Sequence, residues 1–125
     1  MADQDAIPVA VVGVGRMGRH HARIYRELPE ARLVGVVDAD EERAATIADD
    51  QGCAAFTSVD DLLAAHGDLR AATVAVPTVA HESVAARLLG EGVACLVEKP
   101  LAGSVAEARR IVDAARPRMQ AVVGR

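Results

Sequence analysis

Short apolar runs recur along the chain at 8–12, 32–37, 71–76, 93–97 and 119–123, with a weaker one near 54–56. Each is strand-length, rich in Val, Ile, Leu and Ala, and bounded by polar or glycine-containing segments. Such continuous runs predict strands buried on both faces. Between them, positions 16–28, 41–50, 59–65, 79–90 and 105–116 carry a helical period. Ser58 stands three residues before Asp61 and Ser104 three before Glu107, the spacing of a helix-opening capping box. Gly52, Gly67 and Gly92 follow helical stretches, where a left-handed residue can end a helix. Strand and helix alternate throughout, without repeats, low-complexity stretches or linkers. That order predicts a single α/β domain, a doubly wound parallel sheet of the Rossmann type with right-handed crossovers.

Within the first helical segment, Met17, His21, Ile24 and Leu28 fall on one face and Arg16, Arg19, Arg23 and Arg26 on the other. The apolar face is expected against the sheet, making His21 a packed, hydrogen-bonded core histidine. The basic face is expected in solvent, except that Arg16 opens the helix beside the glycine-rich turn. His81, in line with Val84, Ala85 and Leu88, is likewise expected to pack. His20 and His66 receive no role.

Composition narrows the class. Half the chain is apolar (51%), yet Tyr25 and Phe56 are its only aromatic residues. At 125 residues it suffices for one domain with a core of aliphatic side chains. The formal net charge of −4 argues against nucleic acid or an anionic membrane as the main partner. Cys53 and Cys95 lack metal-ligand and redox-motif spacing and are expected to be reduced, buried thiols. No metal-ligand cluster is apparent. The acidic N-terminus and short apolar runs suggest neither a signal peptide nor a spanning segment, which points to the cytoplasm. Of 14 basic residues, only Lys99 is lysine. In a chain so biased toward Arg, a lone Lys suggests a need for a compact, titratable ammonium.

The most specific pattern is Gly13-Val14-Gly15-Arg16-Met17-Gly18, placed between an apolar strand and a helix, with Asp38 ending the next strand. Gly13 allows the tight turn, Gly15 lets backbone approach a pyrophosphate, and Gly18 lets the helix sit close to the strand. The helix N-terminus then faces the phosphates. Asp38 is suited to accept hydrogen bonds from the adenosine ribose hydroxyls. With Asp40 close by, like-charge repulsion favours NAD over NADP. Arg43 is the nearest cation that could reverse this preference, but it is expected to answer the local acids. Val76-Pro77-Thr78 closes the fourth strand at the ligand-binding edge, with Thr78 the expected N-cap of the following helix. Glu98-Lys99-Pro100 ends the fifth strand at the same edge. Given a lowered pKa, a lysine there could help remove a substrate hydroxyl proton as hydride leaves for the nicotinamide. Pro100 restricts the backbone of Lys99.

The glycine fingerprint with His21, the run Leu33-Val34-Gly35-Val36-Val37-Asp38, and Val97-Glu98-Lys99-Pro100-Leu101 together resemble the Gfo/Idh/MocA family (glucose–fructose oxidoreductase and inositol dehydrogenase). The resemblance runs from about Pro8 to Gly124, and Glu-Lys-Pro is its discriminating motif. It implies that Lys99 is the catalytic-site lysine beside the substrate hydroxyl and that Glu98 contacts the nicotinamide ribose. It implies a sugar, cyclitol or related polyol as the small-molecule substrate. It also implies a second, substrate-binding and oligomerising domain. Positions 1–125 are then expected to correspond to the NAD-binding domain without that second domain, and exposed apolar surface around the sixth strand is expected to favour self-association.

A stand-alone NAD-binding or sensing module is the alternative reading, and Lys99 discriminates against it. Short-chain dehydrogenase chemistry is excluded because the only tyrosine, Tyr25, is followed four residues later by Pro29 rather than Lys. Hydrolase chemistry lacks a Gly-x-Ser-x-Gly elbow.

Overall fold

Strands with no polar face need cover on both sides, and the computed structural model supplies it with helices flanking a central parallel sheet. The structure describes residues 6–115 and 122–124. In chain order the elements are β1 (Ile7–Val12), α1 (Arg16–Glu27), β2 (Ala31–Val37), α2 (Glu41–Gln51), β3 (Ala54–Phe56) and α3 (Val59–Ala65). They continue with β4 (Ala71–Val74), a 3-10 turn (Thr78–Ala80), α4 (His81–Gly90), β5 (Ala94–Val97), α5 (Val105–Ala115) and β6 (Val122–Gly124). All pairings are parallel and the strand order is β3-β2-β1-β4-β5-β6. The expected α/β class and doubly wound sheet are therefore what the chain adopts. Positions 119–121 of the sixth predicted strand lie outside the described residues.

Two apolar clusters fill the two sides of the sheet. One gathers Leu62, Leu88, Leu89, Ile111, Val74 and Val97, and the other is built on Val11, Val14, Ala22, Val36 and Ile47. Leu62, Leu88, Leu89 and Ile111 are all fully buried. Cys95 is buried and Cys53 half-buried, and both are free. Burial pushes the Cys53 thiol up to about 11 and that of Cys95 to about 12, so neither supplies a thiolate at neutral pH.

Helix ends follow the sequence signals at most positions. Ser58 Oγ accepts from the Asp61 amide at 3.1 Å, and Ser104 Oγ from that of Glu107 at 3.2 Å. Gly52 ends α2 in the left-handed region. Gly67 does not play that part: His66 ends α3, and Gly67 has no positive φ. Asp40, which has Arg43 rather than Glu or Gln at the capping-box position, accepts from the Arg43 amide and opens α2.

Two expectations are corrected. The buried side of α1 is formed by Gly18 and Ala22, whereas Met17, Ile24 and Leu28 are 49%, 46% and 42% exposed. Small residues face the sheet because α1 lies too close to β1 for long ones. Tyr25, half-buried on that side, reaches over to the buried Thr73 at 2.7 Å. Thr78 is not a helix N-cap: it begins the 3-10 turn after Pro77, without a side-chain capping bond.

Candidate cofactor and catalytic site

Register brings the site together. Val12 pairs with both Val37 and Val74, and Val74 pairs with Val97, so four strands end in one row. The ladder then runs one residue further. Gly13 N donates to Val37 O (2.7 Å), Ala75 N to Val12 O (2.8 Å) and Glu98 N to Val74 O (3.0 Å). Asp38 N donates to Phe56 O at 3.1 Å. Gly13, Asp38, Ala75 and Glu98 thus start four loops at the carboxyl edge, where ligands of open parallel sheets lie.

The glycine turn is fixed sterically. Gly13 has φ +90°, and a Cβ there would sit 2.8 Å from the Ala75 carbonyl and the Val76 nitrogen. A Cβ on Gly18 would collide with the Gly13 carbonyl oxygen, the close helix–strand contact expected of this position. Around Gly15 nothing lies within 4 Å of where a Cβ would be.

That open side adjoins a helix start that no side chain among the described residues caps. Gly15 precedes α1 with no side-chain cap, and the first turn holds no acid, only Arg16 and Met17, both exposed. By contrast α2, α3 and α5 each have one first-turn amide capped by a side chain, that of Asp40, Ser58 or Ser104. Free amides, the positive end of a helix and an adjacent cation suit a pyrophosphate.

Beside the turn lies a cavity of about 510 Å³, walled by Gly13, Val37, Asp38, Val76, Pro77 and Val84 among others. Its lining is predominantly apolar, and its acid is Asp38 with Asp40 at the rim. Asp38 is well held: Oδ2 accepts from Val14 N at 3.0 Å and Oδ1 from Asp40 N at 2.9 Å. Arg43 lies 3.6 Å from Asp38 Oδ2 and 3.8 Å from Asp40 Oδ2, so it does answer the local acids. Thr57, Ser58 and Val59 also line the cavity and were missed in the sequence, where Ser58 registered only as a cap.

The Glu98 end of the row is separate from this cavity. Glu98 is half-buried, and His21 Nε2 donates to its Oε1 at 2.7 Å. His21 is packed and hydrogen-bonded as expected, its side chain 12% exposed, but its partner is Glu98 at the edge of the site rather than a core group. Lys99 is exposed and has no hydrogen bond or ion pair to any described residue. His81 is packed as expected, 1% exposed.

The model of the family described as an oxidoreductase family with an NAD-binding Rossmann fold matches residues 7–124. The chain belongs to the Gfo/Idh/MocA oxidoreductase family. It is 41% identical over 108 residues to a UDP-N-acetylglucosamine 3-dehydrogenase of Acidithiobacillus ferrooxidans, covering 86% of this chain and 33% of the relative. It is 37% identical over 113 residues to an inositol 2-dehydrogenase of Rubrobacter xylanophilus, covering 90% and 32%. Among solved structures, GenD2 from gentamicin A biosynthesis, in complex with NAD, superposes with a TM-score of 0.91 at 37% identity, covering 96% of this chain and 34% of that one. The chain therefore spans about a third of the length of the curated relatives it matches. Residues 7–124 match the family's NAD-binding Rossmann fold, and nothing in these likenesses supports a stand-alone sensing module.

Proposed function

We propose that this chain is the cofactor-binding part of an NAD-dependent dehydrogenase acting on a hydroxyl of a sugar, cyclitol or related polyol. The observation that carries the reading is the single row of strand ends. It sets the uncapped glycine turn, Asp38 and the Glu98-Lys99 pair along one edge of the sheet. The curated relatives point to the substrate class. In this reading the protein is cytoplasmic and engages a small molecule rather than nucleic acid or membrane, in keeping with its net charge of −4. Copies associate through apolar surface, of which the α1 stripe of Met17, Ile24 and Leu28 is a described part.

The α1 amides and Arg16 would hold the pyrophosphate, with Gly15 leaving room for it. Met17 and Gly18 would shape that turn. Asp38 would accept from the adenosine ribose hydroxyls, while Val76, Pro77 and Thr78 wall the groove. Glu98, oriented by His21, would accept from the second ribose. Bound NAD would supply the hydride acceptor. Lys99 Nζ, as the free amine, would take the proton from the substrate hydroxyl.

The reading is tested by titrating the chain with NADH and NADPH in parallel. NADH at about 100 times its Kd should add about 2.7 kcal/mol of stability, several degrees in Tm, and NADPH should add little. No response to NADH would overturn the assignment.

Asp38→Asn should separate charge from shape. Losing a charge-assisted bond to a ribose hydroxyl costs about 1.5–3 kcal/mol, a rise of roughly tenfold to a hundredfold in the NADH Kd. NADPH should stay within about threefold, because the repulsion is relieved and Arg43 loses one of its acids. Calorimetric titration checks this; a parallel loss for both cofactors would mean that Asp38 acts only by holding the Val14 and Asp40 amides.

A further inference from the structure

His81 is a fully buried polar side chain that the chemistry above does not use. Its Nε2 lies 2.8 Å from the carbonyl oxygen of Val76, and its Nδ1 lies 3.0 Å from that of Leu101. Val76 belongs to the wall of the cofactor groove, two residues beyond the end of β4. Leu101 lies two residues beyond Lys99, on the far side of Pro100. Both residues are partly buried against the main core cluster, so the ring sits between two fixed points.

The rest of the Lys99 loop is sparsely held. Glu98 is anchored by its amide to Val74 and by its carboxylate to His21. From Lys99 to Gly103, the bond between His81 and Leu101 is the only hydrogen bond among the described residues. A loop with solvated backbone on both sides of a single anchor owes its position largely to that anchor.

We propose that His81 is a positioning residue for Lys99: the imidazole straps the loop after β5 to the groove wall after β4 and so sets where the lysine stands relative to bound cofactor. This rests on the cofactor reading above. Both facing groups are carbonyl oxygens, which only accept: a neutral ring, with one N–H, donates to one of them, and the ring bridges both only when each nitrogen carries a proton. The Nδ1 side is the one that bears on Lys99.

The side-chain amides of Asn and Gln divide the two functions. The Asn nitrogen falls near the place of Nδ1 and keeps a donor for Leu101. The Gln nitrogen falls near Nε2 and keeps one for Val76 alone. Because Lys99 is the sole lysine, amine acylation followed by peptide mass spectrometry reads its environment directly in the 125-residue chain.

In the unsubstituted chain, saturating NADH should slow acylation of Lys99 at least fivefold. His81→Asn should keep this protection within about twofold. His81→Gln should lose most of it while binding NADH within about threefold of the unsubstituted chain. Equal protection in the Asn and Gln variants, or full protection in Gln, would overturn the role. So would NADH binding that leaves Lys99 unprotected in the unsubstituted chain. If that chain failed to bind NADH at all, the cofactor reading itself would fall and take this inference with it. A general packing role for the ring would lower Tm in both variants without ordering the two protection factors.

Discussion

Replacing Lys99 by Met in the full-length protein should lower kcat by about a hundredfold to ten-thousandfold while leaving the NADH Kd unchanged. That is the range over which a positioned proton acceptor contributes to a rate. Lys99 is exposed and tied to no described residue, so its removal should change stability by no more than about 0.5 kcal/mol. Lys99→Arg is the sharper variant. It keeps the positive charge and the reach, but a guanidinium cannot give up its proton in a protein. If the amine's proton traffic is what matters, Arg should be as inactive as Met. A chain that uses Arg at all 13 of its other basic positions offers a direct reason to expect this. Steady-state kinetics with the sugar or polyol turned over fastest, beside direct NADH titration, would decide it. An active Lys99→Arg variant would reduce the lysine to a source of field.

The second large effect separates two glycines three positions apart. Gly18→Ala should cost about 3 kcal/mol or more and lower Tm by roughly 10 °C or more. Its Cβ would meet the Gly13 carbonyl oxygen, backbone against backbone, with no flexible side chain to give way. Either α1 leaves β1 or the glycine turn changes shape. Gly15→Ala should instead cost far less stability, since nothing lies within 4 Å of the added methyl group. It should nevertheless weaken NADH at least tenfold by filling the space beside the uncapped α1 amides. Thermal melts and NADH titrations of the two variants give opposite patterns. Normal NADH binding by Gly15→Ala would place the pyrophosphate elsewhere.

These contrasts show what could be read from the sequence. Apolar runs and glycine spacing carried the succession of elements and the turn, because buried parallel strands and a left-handed Gly13 leave direct marks on residue choice. The face of α1 did not follow from hydropathy. A helix pressed against a strand needs Gly18 and Ala22 at the contact, and such residues register weakly beside Met17, Ile24 and Leu28. For His21 the packing was legible but the partner was not. Its partner, Glu98, is 77 positions away, and only the sheet register brings the two together. The cavity wall at Thr57 and Ser58 was hidden for a related reason. A serine that caps a helix satisfies a local rule completely, leaving no residue of sequence signal for a second task.

The common row of strand ends also bears on how the protein is made. Gly13, Asp38 and Ala75 emerge from the ribosome well before Glu98 and Lys99, and β5 must pair with β4 before that last segment has a place. A nascent chain therefore carries a complete glycine fingerprint and its acid long before it has the lysine end of the site. The half that grips adenosine and phosphate is laid down first, on strands that are neighbours both in sequence and in space. The half that would handle the proton arrives with the strand that closes the row.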